Sequence, residues 1–234
     1  MRMRINRGGI NGIEFWYRSG YSDLKTFEEV IKRNTYQRRG MKICAGERWM
    51  DCGANVGAFT LLACSLGASV VAYEPDPYSC ELIHKNLLLN GFTAEVRQEA
   101  LVPNHIDSVV LFVGNNNQVW RNSIVKRWGK NGIKVPAVNF DTEALNFRNC
   151  KMDIEGAEMP ILEQTTVLFD KLVYEWSFDV DANLKRLWKV IERQKSSYDV
   201  KASWSSIHYQ DRLFERWQPS WFPPCTNVFC FRQP

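Results

Sequence analysis

The sequence predicts an α/β fold with a doubly wound parallel sheet and helices on both of its faces. Three observations carry that expectation. From about residue 47, short strand-like apolar runs alternate with helix-like segments, the pattern of βαβ units. A glycine-containing turn, Asp51-Cys-Gly-Ala-Asn-Val-Gly57, follows the first such run and opens a helix. A carboxylate, Glu74, closes the second run twenty-one residues after Gly53, where an open α/β sheet presents its ligand crevice. At 234 residues the chain suits one sizeable core better than two.

The elements follow in order. A helix opens at Ser22-Asp23, with Ser22 as its N-cap and Leu24, Phe27, Val30 and Ile31 at helical spacing, and Arg38-Arg39-Gly40 interrupts it. Residues 1–46 are therefore expected to form a helical, basic extension packed on a domain spanning 47–234. Arg48–Cys52 reads as a strand, Ala58–Leu66 as an apolar helix closed by Gly67, and Ser69–Glu74 as a second strand. Pro77–Leu89 is a helix, since proline suits a first turn and Asn90-Gly91 an end. Ala94–Glu99, Ser108–Val113, Lys134–Phe140, Asn149–Ile154 and Lys171–Trp176 are further extended pieces, with a helix from Ala157 to Leu162. Leu184, Leu187, Trp188 and Ile191 mark a last helix, and strands are expected near Tyr198–Ala202 and Asn227–Phe231.

Composition narrows the class. Hydrophobic content of 45% and charged content of 24% match a soluble globular protein. No apolar run approaches the ~20 residues of a membrane span, and Met1-Arg-Met-Arg-Ile lacks a secretory apolar stretch, so a cytoplasmic location is expected. The seven cysteines, at 44, 52, 64, 80, 150, 225 and 230, contain no CxxC pair. They read as reduced thiols rather than as a disulfide framework or a zinc site. Residues 1–48 hold eleven Lys/Arg against five Asp/Glu, and residues 49–180 hold ten against sixteen. Two readings of this asymmetry stand: a basic rim for an anionic substrate, or solvated surface charge.

Gly53 and Gly57 let the backbone turn sharply and approach a ligand. A dinucleotide site wants GxGxxG, which seats a pyrophosphate on a helix N-terminus. Here the glycines are spaced Gly-x-x-x-Gly behind an acid, Asp51. That acid repels phosphate but suits the ammonium and sulfonium of S-adenosylmethionine. Asp51 is expected to accept from the ligand's α-ammonium, and Glu74 to accept both ribose hydroxyls. Pro75 and Asp76 would lie along the adenosine. Glu99-Ala100 either meets the adenine edge or carries only a solvated strand-end acid.

These residues resemble a known family. DCGANVGAFTLLA (51–63), VVAYEPDP (70–77), the asparagines of KNLLLNG (85–91) and KMDIEGAEMPIL (151–162) are similar to the FkbM-type methyltransferases, with smaller echoes at 20–30, Asn122-Ser123 and 135–141. The resemblance covers about residues 20–176. It implies a class I methyltransferase, Rossmann-like fold, with a mostly parallel seven-stranded sheet whose last strand is antiparallel, and methyl transfer to a hydroxyl oxygen, often on a sugar or secondary metabolite. It also implies that Asp51, Gly53, Asn55, Gly57, Glu74 and Asp76 serve the cofactor, and that Asp153, Glu155 and Glu158 belong to the motif at the fourth strand.

Methyl transfer is an in-line displacement that needs proximity and alignment, and a sugar hydroxyl needs help losing its proton. Asp153, at a strand end beside the cofactor crevice, is the candidate base or metal ligand, and it also counts among the cofactor contacts. Glu155 shares that role or caps the next helix, whose N-terminus favours an anion; Glu158 fits the same turn. Lys151, a catalytic candidate, shares the face of Asp153 and either lowers the Asp153 pKa, holds an anionic substrate or snorkels into solvent. Glu175 is a further catalytic candidate. Asp153, Glu175 and Asp179 together are expected to suit Mg²⁺ or Mn²⁺, although a metal-free mechanism stands equally. Trp120, Arg121, Asn122 and Ser123, in the 114–131 loop, are candidates for holding the acceptor. The aromatic tail (Trp204, Tyr209, Trp217, Trp221, Phe222) either stacks on acceptors or fills core, and His208 is an alternative base. Tyr36 and Ser22-Asp23 are placed to close over the cofactor. Besides a small-molecule or glycan O-methyltransferase, two readings remain open: an RNA 2′-O-methyltransferase, suggested by the basic ends, and a nucleoside-binding regulator without catalysis.

Overall fold

The computed structural model of the chain describes residues 4–114, 122–127, 131–177, 180–181, 183–202 and 225–233. It opens with a hairpin of β1 (Ile5–Ile10) and β2 (Ile13–Arg18), turned by Asn11 and Gly12 with φ of 52° and 82°. Two residues of positive φ give a turn whose twist matches that of the strands. Helix α1 (Asp23–Phe27) runs into a π-helical turn at Glu28–Lys32. The first half of the central sheet follows as β3 (Arg48–Cys52), α2 (Ala58–Ser65), β4 (Ser69–Tyr73), α3 (Pro77–Asn90) and β5 (Glu95–Arg97). Next come β6 (Ala100–Val102), β7 (Ser108–Phe112), β8 (Gly132–Asn139), α4 (Phe140–Ala144) and β9 (Asn149–Met152). The rest is α5 (Glu158–Gln164), β10 (Lys171–Ser177), α6 (Leu184–Gln194), β11 (Tyr198–Ala202) and β12 (Cys225–Arg232).

Seven strands form the main sheet in the order β11-β12-β10-β9-β3-β4-β5. β12 pairs antiparallel with β10 and β11, and the remaining neighbours pair parallel. The chain winds outward from β3 through β4 to β5, then restarts on the other side of β3 with β9 and β10. That reversal leaves a crevice beyond the ends of β3 and β9. Both faces of the sheet are covered, which is why β3, β4 and β9 are buried along almost their whole length, the charged Asp51 and Lys151 included. Met50 and Cys52 pack with Phe140 of α4, Met159 of α5 and Leu187 of α6. Trp49, the residue before Met50, packs on the opposite face with Phe59 of α2, Ile83 of α3 and Phe15 of the hairpin, as period-two alternation requires. A second sheet, in the order β6-β8-β7, stands beside the crevice.

The N-terminal segment departs from the helical extension expected there, because it begins as the hairpin. That hairpin has no alternating apolar pattern of its own and is held by α3. Asn86, fully buried, accepts from the Trp16 N–H at 2.6 Å and donates to the carbonyls of Trp16 and Val56. Asn90 makes the same two-way contact with Glu14. Ser22 occupies the N-cap of α1, but its φ of −76° and ψ of −3° are already helical, and its hydroxyl caps nothing. Asp23 is instead buried in a forked ion pair with Arg18 at 2.8 and 2.9 Å. The expected strand 94–99 is split. Pairing with β4 ends at Tyr73 opposite Arg97, and Ala100–Val102 leaves to pair with β8. Among the described residues no helix is long and apolar enough to cross a membrane.

Candidate active site

A cavity of about 240 Å³ lies at the reversal point of the sheet. Its floor is made by two turns that touch. Gly53, after β3, has φ of +74°, and a Cβ placed on it would sit 1.8 Å from the carbonyl oxygen of Asp153. Only glycine permits that approach. The Asp153 N–H donates back to the Cys52 carbonyl at 3.0 Å. Beneath the floor, the buried Lys151 ammonium donates to the Gly53 carbonyl at 2.7 Å and pairs with Asp51 at 3.1 Å, while Thr60 donates to the other Asp51 oxygen at 2.6 Å. Burial alone would lower the Lys151 pKa, but the Asp51 and Asp153 carboxylates outweigh it and hold it above the usual lysine range. Two expectations are thereby corrected. Asp51 does not line the cavity to receive an ammonium, and Lys151 is neither a cavity residue nor a snorkelling one. Together they brace the glycine turn from below.

Glu74 and Pro75 do line the cavity. Glu74 accepts the Asn55 N–H at 2.7 Å on one oxygen and the Asp76 N–H at 2.9 Å on the other. Asn55 itself adopts a φ of 51°. Burial, helped by the charge on Asp76 and opposed by these N–H donors, pushes Glu74 up to about 7. Asp76, expected along the adenosine, is turned away as the N-cap of α3. It accepts from the Ser79 N–H at 3.1 Å and hydroxyl at 2.7 Å, with Arg18 at 3.7 Å. Gly57 is the N-cap of α2, where its φ of +85° and the nearness of Ile83 require glycine; it too lies off the cavity. Glu99 and Ala100 line it. Among the described residues, Glu99 Oε2 and Ser22 Oγ, both on cavity residues, are buried without a partner, which a native protein rarely tolerates.

The second turn carries Asp153, Glu155 and, from β10, Glu175 to the same cavity. Glu155 and Gly156 have φ of 52° and 106°. Glu158, buried behind the turn, accepts the N–H groups of Ile154 at 2.6 Å and Gly156 at 2.7 Å. Burial and then the charge of Asp153 raise it to about 7. The cap of α5 falls on Ala157 with no side-chain bond, so neither glutamate is a conventional helix cap. Asp153 Oδ2 accepts from the Tyr36 hydroxyl at 2.6 Å.

The roof comes from the N-terminal segment. Ser22, Lys25, Thr26, Glu29, Thr35 and Tyr36 line the cavity, although sequence reasoning singled out only Ser22 and Tyr36. The remaining signal was available: 22, 25, 26 and 29 share one helical face. Asn122 lines the cavity and accepts from the Gly114 N–H at 3.0 Å. Ser123, expected to meet the acceptor, is buried instead. Its hydroxyl donates to the Glu155 carbonyl at 2.6 Å and accepts from the N–H groups of Val125 and Lys126. Trp120, Arg121, Asp179, His208 and the aromatic tail at 204–222 lie outside the described residues. Among those described, no three His, Cys, Asp or Glu side chains are grouped to hold a metal ion. Asp153 and Glu175 by themselves do not compose a cation site.

Residues 51–205 match the family described as the methyltransferase FkbM domain. No curated protein matches the chain. Among solved structures, the Pyrococcus abyssi tRNA (uracil-54, C5)-methyltransferase in complex with S-adenosyl-L-homocysteine is 12% identical over 97% of this chain and 43% of its own, with a TM-score of 0.47. TYW2 of M. jannaschii in complex with AdoMet is 14% identical, covers 100% and 89%, and has a TM-score of 0.48. The M. jannaschii tRNA m1G37 methyltransferase is 14% identical, covers 100% and 59%, and has a TM-score of 0.47. The chain thus spans less than half the length of the first of these.

Proposed function

Since this chain belongs to the FkbM methyltransferase family, we propose that it transfers a methyl group from S-adenosylmethionine to a hydroxyl oxygen of a sugar or another small polar acceptor. When bound, S-adenosylmethionine supplies a methyl carbon made electrophilic by the attached sulfonium. The lining of the cavity supports that ligand. Glu29, Glu74, Glu99, Asp153, Glu155 and Glu175 face it, against Lys25 as the one cation among its described residues, a balance suited to a positively charged guest. Glu74 would receive the ribose hydroxyls on lone pairs left over from its backbone bonds. Glu99 and Ser22 supply two polar atoms that lack partners, and Gly53, Pro75 and Ala100 let the ligand lie close to backbone.

The chemistry then needs a group that takes a proton from a weak hydroxyl nucleophile. Asp153 does so in this reading. The observation that carries it is that the Asp153 carboxylate lines the same cavity as Glu74, clamped between the Gly53 turn and Tyr36. Its acid form is left behind as the acceptor oxygen becomes an ether. No step is assigned to a metal ion. Asp153→Asn should leave S-adenosylhomocysteine affinity unchanged by calorimetry and lower turnover about 10²–10⁴-fold; wild-type turnover would remove Asp153 from the mechanism. The acceptor class is decided by a screen of sugars against RNA. RNA as acceptor, suggested by the basic residues 1–48, predicts binding that weakens steeply with added salt. Methylation of sugars alone would discard it.

A further inference from the structure

The residue opposite Asp153 lies outside the stretch that matches the family. Tyr36 comes from the N-terminal segment, before residue 51, yet its hydroxyl lies 2.6 Å from Asp153 Oδ2 and its side chain lines the cavity. The ring has almost no freedom. It is 4% exposed, meets Phe59 edge-on at 5.7 Å, and has the Lys151 ammonium 5.4 Å from its centre. Burial, with the nearby charges of Asp153 and Glu175, keeps the phenol protonated by raising its pKa, so it acts as donor and Asp153 as acceptor.

We infer that Tyr36 is a positioning residue for the reaction: its O–H, donated to one oxygen of Asp153, ties that oxygen down so that the other stays turned to the acceptor. The inference rests on the reading of Asp153 as the base. It makes the segment before the family domain part of the reacting centre. A carboxylate free to rotate about χ2 would spend time away from the acceptor, and misplacement by about 1 Å costs on the order of 10²-fold in rate. Other charges act on this pair: Lys151 of β9 and Glu158 of α5 on Asp153, and Asp51 of β3 and Glu175 of β10 on the Tyr36 phenol. Tyr36→Phe leaves all four in place, so its effect reports the phenol alone.

The test uses the full chain saturated with S-adenosylhomocysteine. The ¹³C resonance of the Asp153 carboxyl, assigned by its loss in Asp153→Asn, is followed against pH in the wild type and in Tyr36→Phe. Loss of the donor should move the transition to higher pH, and 3-fluorotyrosine at position 36, a stronger donor, should move it lower. Affinity for S-adenosylhomocysteine should stay within about two-fold, and with methyl glycosides as acceptors kcat should fall about 10–100-fold at unchanged KM. Identical transitions in all three proteins overturn the inference. If Asp153→Asn keeps full turnover, the base reading fails while the coupled titration survives. If Asp153→Asn is inactive but Tyr36→Phe matches the wild type in titration and kcat, the Tyr36 inference alone fails.

Discussion

The turn after β3 and the turn after β9 use one device for two ends. Each bends through left-handed backbone, at Gly53 and Asn55 in the first and at Glu155 and Gly156 in the second. Each is held by a buried glutamate that accepts two backbone N–H groups, Glu74 from Asn55 and Asp76, and Glu158 from Ile154 and Gly156. Burial pushes both acids to about 7. They differ in where they stand. Glu74 comes from the neighbouring strand β4 and faces the cavity, whereas Glu158 comes from the first turn of α5 and sits behind the loop it holds. A carboxylate oxygen has two lone pairs, so only the acid that opens to the cavity has a lone pair to offer a ligand. The same residue type thus binds in one turn and braces in the other.

The largest expected effect separates the glycines of the two turns. Gly53→Ala puts a methyl group 1.8 Å from a backbone oxygen that cannot retreat, at a φ of +74°, whereas Gly156→Ala meets the Val180 side chain at 2.2 Å. Gly53→Ala should abolish detectable S-adenosylhomocysteine binding. Gly156→Ala should remain folded with a loss of about 1–3 kcal/mol of stability by denaturant unfolding. Wild-type binding by Gly53→Ala would mean the two turns are not in rigid contact.

The glutamates sharpen the contrast. Glu74→Ala should weaken S-adenosylhomocysteine about 10²–10⁴-fold, because it removes two charge-assisted hydrogen bonds worth about 1.5–3 kcal/mol each. Glu158→Ala should leave that affinity within about three-fold while lowering turnover and melting temperature, through two orphaned N–H groups and a slack Asp153 loop. Calorimetry and thermal melting on both variants check this, and the same pattern in both would erase the distinction.

The smallest effects lie in pH. Glu74 must be charged to accept two hydroxyls, so wild-type affinity should rise as pH passes upward through about 7, and Glu74→Gln should flatten the curve. Stability runs the other way. Both acids are raised from 4.5 to about 7 in the folded chain, so each favours folding fully below 4.5 and loses that contribution as pH rises through about 7. Glu158→Gln should therefore show a shallower fall in melting temperature across this window than the wild type. Parallel slopes would show that Glu158 does not titrate there.

Much of the frame was legible in the chain. Alternating strand-like and helix-like apolar runs placed most strands and helices, since the strands of a sheet covered on both faces are mostly apolar. Pro77 and Gly91 bounded α3 as expected, whereas the N-cap role of Asp76 emerged only in the structure. The hairpin was missed even though Asn11-Gly12 is a turn pair, because Arg7, Gly8 and Gly9 interrupt any apolar alternation. What holds it is distant in the chain: Asn86 and Asn90, about seventy residues away, bond to its backbone, and its Ile13 and Phe15 are buried in the core.

By itself, the sequence determined the glycine bend, the acid that closes β4, and the clustering of acids at 153–158, all of which follow from spacing along one backbone. Only the tertiary structure decided which of those acids meet a ligand. Asp51 and Lys151 neutralise each other because β3 and β9 lie side by side, with Asp51 opposite Lys151. Asp76 turns to Arg18, and Tyr36 reaches Asp153 across 117 positions. Whether a carboxylate binds, braces or caps depends on the groups that surround it, and for Asp51 and Asp153 those arrive from segments far away in the chain.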